Sequence, residues 1–193
     1  MQLILASASP RRKELLGLFH IPFTIRVADI DETMDNTKTP FDEVARVSRL
    51  KALAISREAD DIVIAADTIV VCGGRVLGKP KTEEEAVEML QLLSGRDHQV
   101  MTGCTLLRGE KCETFTEVTD IHFRPLSKKE IENYVATGEP MDKAGAYGIQ
   151  EKGSVFVTGI RGDYFNVMGL PICEITEVAK KEFGIHLANF KKR

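Results

Sequence analysis

Asp67 interrupts an apolar run, Ile62 to Val71, that is long enough for a buried central strand. An isolated carboxylate is costly to bury, so Asp67 should be paired, bound to a cation, or set where the strand opens onto a cleft. A kink at Asp67-Thr68, with both side chains satisfying local backbone groups, is the competing reading. Asp29, Asp31 and Glu32 form a second acidic patch after the strand-like Phe23–Val27. Such a patch is either an ordinary loop or a set of oxygen ligands for a divalent cation. Arg11 and Arg12 follow Ser9-Pro10 at a predicted helix start, where free N–H groups and the helix dipole attract anions. Two cations there conflict with the dipole unless phosphate lies beside them; otherwise they are solvated, at a cost of some tenths of a kcal/mol. Lys51 shares a helix face with Val44, Val47 and Ile55, and either snorkels outward or points into an anion site. Lys79 completes the set. Separated cations can clamp a polyphosphate while carboxylates hold metal or activate water, which suits phosphoanhydride hydrolysis.

The elements that must carry these groups are legible from pattern. Leu3–Ala6 reads as an inner strand feeding a helix with Ser9 as N-cap, Pro10 at N1 and an apolar face of Leu15, Leu16, Leu18 and Phe19. A second helix is predicted from Phe41 to about Ala59 after a polar stretch ending at Pro40. Gly73-Gly74 marks a tight hairpin that returns Arg75–Leu77 antiparallel to the Asp67 strand and leads to Lys79. Thr82–Glu85 and Ser127–Glu130 read as capping boxes, and Ala86, Met89, Leu90 and Leu93 as a core stripe. Val100–Leu107 and Phe115–Phe123 form a long predicted hairpin across Arg108–Lys111, making the sheet mixed. Val155–Val157 and Tyr164–Val167 read as a further strand pair, and Gly169-Leu170-Pro171 as the opening of the last helix. His98 and His122 are expected in hydrogen-bonding rather than metal-binding roles.

Composition excludes several classes. The chain has 193 residues, 43% hydrophobic and 28% charged, with a formal net charge of -3. It can bury a proper core and has no global basic field for nucleic acid. Cys72, Cys104, Cys112 and Cys173 are too widely spaced for a metal knuckle and read as reduced, mostly buried thiols. No signal-peptide pattern or bilayer-length segment is present, so a cytoplasmic protein without a membrane partner is expected. The tail Lys191–Arg193 reads as a solvated end. Gly78-Lys79 is followed by Pro80 rather than Ser or Thr, so it is no P-loop, and no GxGxxG opens a helix.

Ala6-Ser7-Ala8-Ser9-Pro10-Arg11-Arg12-Lys13-Glu14-Leu15-Leu16, Ala66-Asp67-Thr68, Gly78-Lys79-Pro80, Leu93-Ser94-Gly95 and the stretch Asp142 to Gln150 together closely resemble the Maf family of nucleoside triphosphate pyrophosphatases. The resemblance runs to Gly169-Leu170-Pro171. It implies one Maf-like domain over 1–193, made of two lobes in an α/β fold like that of inosine triphosphate pyrophosphatases. A long mixed β-sheet flanked by helices would leave a nucleotide cleft between the lobes. It also implies Mg2+- or Mn2+-dependent cleavage between the α and β phosphates, giving a monophosphate and pyrophosphate.

Carried over by position, Asp67 is the catalytic carboxylate, as proton acceptor for water or as metal ligand, with both roles open. Ser7, Arg11 or Arg12, Glu32, Lys51 and Lys79 match substrate- and metal-contacting positions, Glu32 joining Asp67 at the metal. Asp142 and Lys143 fall in the nucleotide-facing loop. Arg12, Thr68 and Gln150 match three selectivity positions of the branch preferring dTTP and UTP, with modified pyrimidine triphosphates as further candidates, and argue against methylated guanosine triphosphates. An amide can meet the carbonyl and N3–H edge that thymine and uracil share. A nucleotide-binding regulator of septum formation with little turnover is the alternative. It fits less well, because Asp67 and Glu32 would repel a triphosphate unless metal intervened. A homodimer is expected by resemblance alone.

Overall fold

The computed structural model describes residues 1–35 and 37–188. Asn36, inside the predicted polar stretch, and the tail Lys191–Arg193 lie outside the described residues. The chain divides into two compact units.

The first unit comprises Met1–Asp67, Thr102–Glu117 and the described residues from Gly169 onward. Its β1 (Leu3–Leu5) is wholly buried and pairs in parallel with β2 (Phe23–Ile25) and with β3 (Ile62–Cys72), Leu3 lying opposite both Phe23 and Ile62. Burial on both faces explains why β1 and the first half of β3 are apolar runs rather than alternating ones. Helix α1 (Pro10–Gly17) starts as the sequence predicts, with Ser9 Oγ accepting from the Arg12 N–H and Pro10 in the first turn. It buries Leu15 and Leu16, while Leu18, just past its end, is exposed. Helix α2 (Pro40–Leu53), capped by Thr39, is shorter than predicted. Ile55 is still buried, but on the loop beyond the helix. There Asp61 accepts from the backbone N–H groups of Glu58 and Gln2 at 3.1 and 2.9 Å, turning the chain out of the helical path and into β3. Ile4, Ala6, Ala52, Ile55, Val63, Ala65 and Leu107 form one buried cluster in this unit.

The second unit comprises Thr68–Met101 and Val118–Met168. Gly73 and Gly74, both at positive φ, turn β3 into the antiparallel β4 (Arg75–Leu77), as their sequence predicts. Helix α3 (Glu83–Leu93) buries the predicted stripe Ala86, Met89, Leu90 and Leu93. Its cap is half a capping box: Thr82 accepts from the Glu85 N–H, but Glu85 Oε2 reaches back to the N–H of Lys81. Helix α4 (Lys128–Val135) has the full reciprocal box of Ser127 and Glu130. The strands β5 (Asp97–Arg108) and β6 (Lys111–Phe123) are joined by Gly109-Glu110, and their stretch Thr102–Glu117 belongs to the first unit; β5 outruns its predicted limits at both ends, while β6 begins earlier than predicted and ends at Phe123 as expected. The predicted last strand pair does not form. Val155 and Phe156 end a 3-10 turn (Lys152–Phe156), β7 (Val157–Arg161) pairs antiparallel with β6, and Tyr164–Met168 is a short helix, α5. Side-chain bonds favour the helix: Asp163 accepts from the Phe165 N–H at 2.8 Å, and the buried Asn166 amide donates to Val100 O and Thr119 Oγ1 at 3.1 and 3.0 Å. Phe156, meanwhile, is drawn into an edge-on ring contact with Tyr134, centroids 4.9 Å apart.

Among the described residues, the seven strands follow the order β2-β1-β3-β5-β6-β7, with β4 paired to β3. The final helix, α6 (Ile172–Phe183), begins after Pro171 and ends at Gly184 in the left-handed conformation. Cys72 and Cys104 are buried, Cys112 is half-buried and Cys173 is exposed, so the expectation of mostly buried thiols holds for only part of the set. Among the described residues, no helix is long and apolar enough to cross a membrane.

Candidate functional site

In the first unit, Lys51 turns inward rather than outward. It does not snorkel outward: its side chain is 12% exposed, and Nζ donates to Glu32 Oε2 and to Asp67 Oδ1, both at 2.8 Å. Helix α2 supplies this reach, since Lys51 lies in its last turn, where a cation also suits the dipole. One ammonium thus answers two carboxylates brought from a loop and from β3. Of the acidic patch, only Glu32 joins this centre. Asp31 instead accepts from the Thr33 N–H at 2.8 Å in a local turn, and these bonds to Thr33 lower its pKa. β3 runs unbroken from Ile62 to Cys72 through Asp67 and Thr68, and Asp67 is answered by Lys51 rather than by local backbone groups.

Ser7 and Arg12 form the neighbouring arrangement. Arg12 Nε donates to the carbonyl of Gly169 at 2.7 Å, and its Nη1 donates to Ser7 Oγ at 3.2 Å. Ser7 Oγ also accepts from the Ser9 N–H at 3.2 Å, which orders the loop entering α1. Burial lowers the Arg12 pKa, opposed chiefly by the nearby negative charge of Asp67 and more weakly by Glu32. The guanidinium remains charged at any ordinary pH. Arg11 sits half-buried on the same turn. The conflict of two arginines at a helix start is therefore eased from within: Arg12 turns back toward a carbonyl, a hydroxyl and two carboxylates.

In the second unit, the glycine-rich stretch is built around Lys143. Its Nζ donates to Glu139 O at 2.7 Å, to Asp142 Oδ1 at 2.8 Å, and lies 3.3 Å from Glu151 Oε2. An ammonium has three N–H donors, and these three acceptors match them. The lysine stem crosses Gly148 so closely that a Cβ there would lie 2.7 Å from Lys143 Cε. Gly145 is at φ +69° with its absent Cβ 2.7 Å from Val70 Cγ2, and its N–H donates to Gly78 O at 3.1 Å. That bond ties the loop to the segment after β4 that bears Lys79. Lys79 itself is exposed, with no partner among the described residues. Gln150 Nε2 donates to Glu151 Oε1 at 3.3 Å. Thr68 is half-buried on β3.

Sequence reasoning missed three contributors. Glu139 accepts from Tyr134 OH at 2.8 Å and from the N–H groups of Gly153 and Lys152 at 3.1 and 3.2 Å, pinning the loop from its start. Glu151 links Lys143 to Gln150. Gly169 contributes a carbonyl, for which no side-chain signal exists. His98 accepts the role expected of it: it is buried, with Nε2 2.9 Å from Tyr147 OH.

A pair of carboxylates sharing one lysine can hold a cation together with phosphate oxygens, or take a proton from water. Among the described residues there is no group of three or more His, Cys, Asp or Glu side chains that could hold a metal unaided. The donor set nevertheless fits Mg2+, which is commonly bound by one or two carboxylates together with substrate phosphates.

A family model described as Maf-like protein matches residues 2–182. A dTTP/UTP pyrophosphatase of Bacillus cereus (strain B4264) is 50% identical over 181 residues, 93% of this chain and 95% of its own length. A protein of the same name from Bacillus cereus (strain AH820) is 50% identical over 189 residues, 97% of this chain and 98% of its own. Among solved structures, a HAM1 protein from Coxiella burnetii aligns over 64% of this chain and 73% of its own with 16% identity and a TM-score of 0.44, too low to bear on the site. The family model and the half-identity along nearly the whole length agree, and the chain belongs to the Maf-like family.

Proposed function

We propose that this protein is a nucleoside triphosphate pyrophosphatase that hydrolyses dTTP and UTP to the monophosphate and pyrophosphate. The substrates are supported by 50% identity to proteins named for that activity. The chemistry is carried by one observation, the pairing of Asp67 and Glu32 on the Lys51 ammonium at 2.8 Å. Asp67 is the catalytic carboxylate in this reading. Water adds across the anhydride joining the α and β phosphates, the bridging bond breaks, and the proton lost by water goes first to a carboxylate. Lys51 keeps Asp67 and Glu32 oriented in the absence of substrate and offers positive charge as the phosphates arrive. Ser7, Arg11, Arg12 and Lys79 bind the triphosphate, with Lys79, exposed and unpaired among the described residues, the readiest to do so.

Glu32 and Asp67 would hold Mg2+ or Mn2+, whose chemistry is to neutralise the phosphates and offset their repulsion from the carboxylates. Asp142 and Lys143 shape the nucleotide-facing loop, and Lys143, its donors matched by Glu139, Asp142 and Glu151, acts by fastening that loop. Arg12, Thr68 and Gln150 set the preference for thymine and uracil, with modified pyrimidines as further substrates. The test is a panel of canonical and modified triphosphates with Mg2+ or Mn2+, monophosphate, pyrophosphate and orthophosphate being measured separately. Pyrophosphate from dTTP and UTP is expected; orthophosphate as the first product would rule out cleavage at the α–β bond.

A further inference from the structure

Gln150 is chemically ambiguous. An amide presents an acceptor on one side and two N–H donors on the other, and rotation by half a turn exchanges them. One orientation accepts from the N3–H of uracil or thymine and donates to the adjacent carbonyl. The other donates to N3 of cytosine and accepts from its exocyclic amino group. A freely turning Gln150 would therefore read both pyrimidines, and something must fix it if the enzyme is to choose.

Glu151 is placed to do so. Its Oε1 accepts from Gln150 Nε2 at 3.3 Å, and an ionised carboxylate has no proton to offer the amide oxygen. Turning the amide over would set two oxygens against each other. The carboxylate is itself held: its second oxygen lies 3.3 Å from Lys143 Nζ, and that ammonium is buried, its side chain 7% exposed. Lys143 is anchored in turn by Glu139 O and Asp142 Oδ1. The chain of contacts runs from a fixed, buried cation through an acceptor-only group to the amide.

We propose that Glu151 is a specificity-determining positioning residue that locks the Gln150 amide in the orientation reading uracil and thymine and against the one reading cytosine, with Lys143 holding Glu151 in place. The inference rests on the pyrophosphatase reading and on the placement of Gln150 at the base. With one N–H directed to Glu151, Gln150 retains its second N–H and its carbonyl for the base edge, the number of groups that edge requires.

The experiment measures kcat/KM for dTTP, UTP, dCTP and CTP with Mg2+ in the full chain, in Glu151→Gln and in Glu151→Ala, with Glu151→Asp as the conservative rescue. Glu151→Gln can offer either a donor or an acceptor, and Glu151→Ala offers neither, so both free the amide. Each should lower the dTTP-to-dCTP ratio about tenfold through a gain on dCTP, while kcat for dTTP stays within about threefold. Glu151→Asp should restore most of the ratio. Glu151 is 41% exposed, so truncation opens no core cavity, and thermal melts of each variant check this. An unchanged ratio in both variants overturns the inference, as does an equal loss on every nucleotide, which is what a loop merely loosened would give. A parent chain with no dTTP or UTP turnover is a failure of the pyrophosphatase reading and removes the inference with it. A selective parent with indifferent variants overturns the inference alone.

Discussion

Lys51 Nζ on helix α2 lies 2.8 Å from Asp67 Oδ1 on strand β3, and both side chains are largely shielded from water, at 12% and 18% exposure. The two substitutions that break this contact should differ in kind. Asp67→Asn keeps the shape and removes the charge, so kcat/KM for dTTP should fall about a thousandfold or more with little change in stability. Lys51→Met leaves Asp67 and Glu32 without their shared cation; it should slow turnover and also destabilise the fold by about 1–3 kcal/mol. Steady-state kinetics beside urea unfolding separate the effects. Retained activity in Asp67→Asn would remove that residue from the chemistry.

His98 ties stability to acid. Burial holds its pKa down at about 4 against an ordinary value of 6.5, among the edge-on rings of Phe123 and Tyr147. As pH falls below 6.5 the unfolded chain takes up a proton that the folded chain refuses until about pH 4, so stability is lost across that window. The loss is bounded at about 3 kcal/mol. Urea midpoints measured from pH 7 to 4.5 should fall more steeply for the parent than for His98→Gln, which has no titrating ring. Equal slopes would assign the acid sensitivity to other groups.

The cysteines should separate by reactivity. Burial pushes the Cys104 thiol up to about 12, although Arg12 opposes the shift, so almost no thiolate exists at pH 8. Cys173 is exposed on α6. Alkylation of native protein at pH 8, read by mass spectrometry, should modify Cys173 first, with Cys72 and Cys104 reacting only after denaturant is added. Early modification of Cys104 would mean that its segment of β5 opens readily.

Local signals proved legible wherever a few adjacent residues determine the outcome. Ser9-Pro10, Gly73-Gly74 and Ser127–Glu130 each state a backbone requirement within four positions, and each element forms as written. Asp67 could be singled out because a carboxylate in an apolar strand is conspicuous. Its answer by Lys51, rather than by backbone, could not be read. The spacing of Lys51 fits its helix face equally well whether it turns outward or inward, and only the placing of Glu32 and β3 decides. Val155–Val157 and Tyr164–Val167 carry strand-like composition, but distant partners prevail: Phe156 is held by aromatic neighbours and Asn166 by Val100 and Thr119. The bond from Arg12 to the Gly169 carbonyl spans 157 positions and uses a backbone atom that every residue possesses.

Gly103 is the clearest structural demand that carries no local signal, since it sits in β5 among residues of ordinary strand composition. A Cβ there would lie 2.2 Å from the carbonyl oxygen of Val44 and 2.6 Å from the N of Ala45, both backbone atoms of α2. Backbone cannot rotate aside as a side chain can, so Gly103→Ala must push the helix off the sheet or distort the strand. Helix α2 bears Lys51, and a displaced α2 would disturb the contact with Asp67 as well. Gly103→Ala should cost about 3 kcal/mol or more and lower kcat/KM with it. Gly17, at the end of α1, has nothing within 4 Å of an added Cβ and is not at positive φ. Gly17→Ala should therefore stabilise the fold by about 0.5–1 kcal/mol, through the unfolded chain and helix propensity, without affecting turnover. Urea unfolding and dTTP hydrolysis measured on both variants test one chemical change with opposite expected signs. A Gly103→Ala protein as stable as the parent would show that β5 does not lie against α2 this closely.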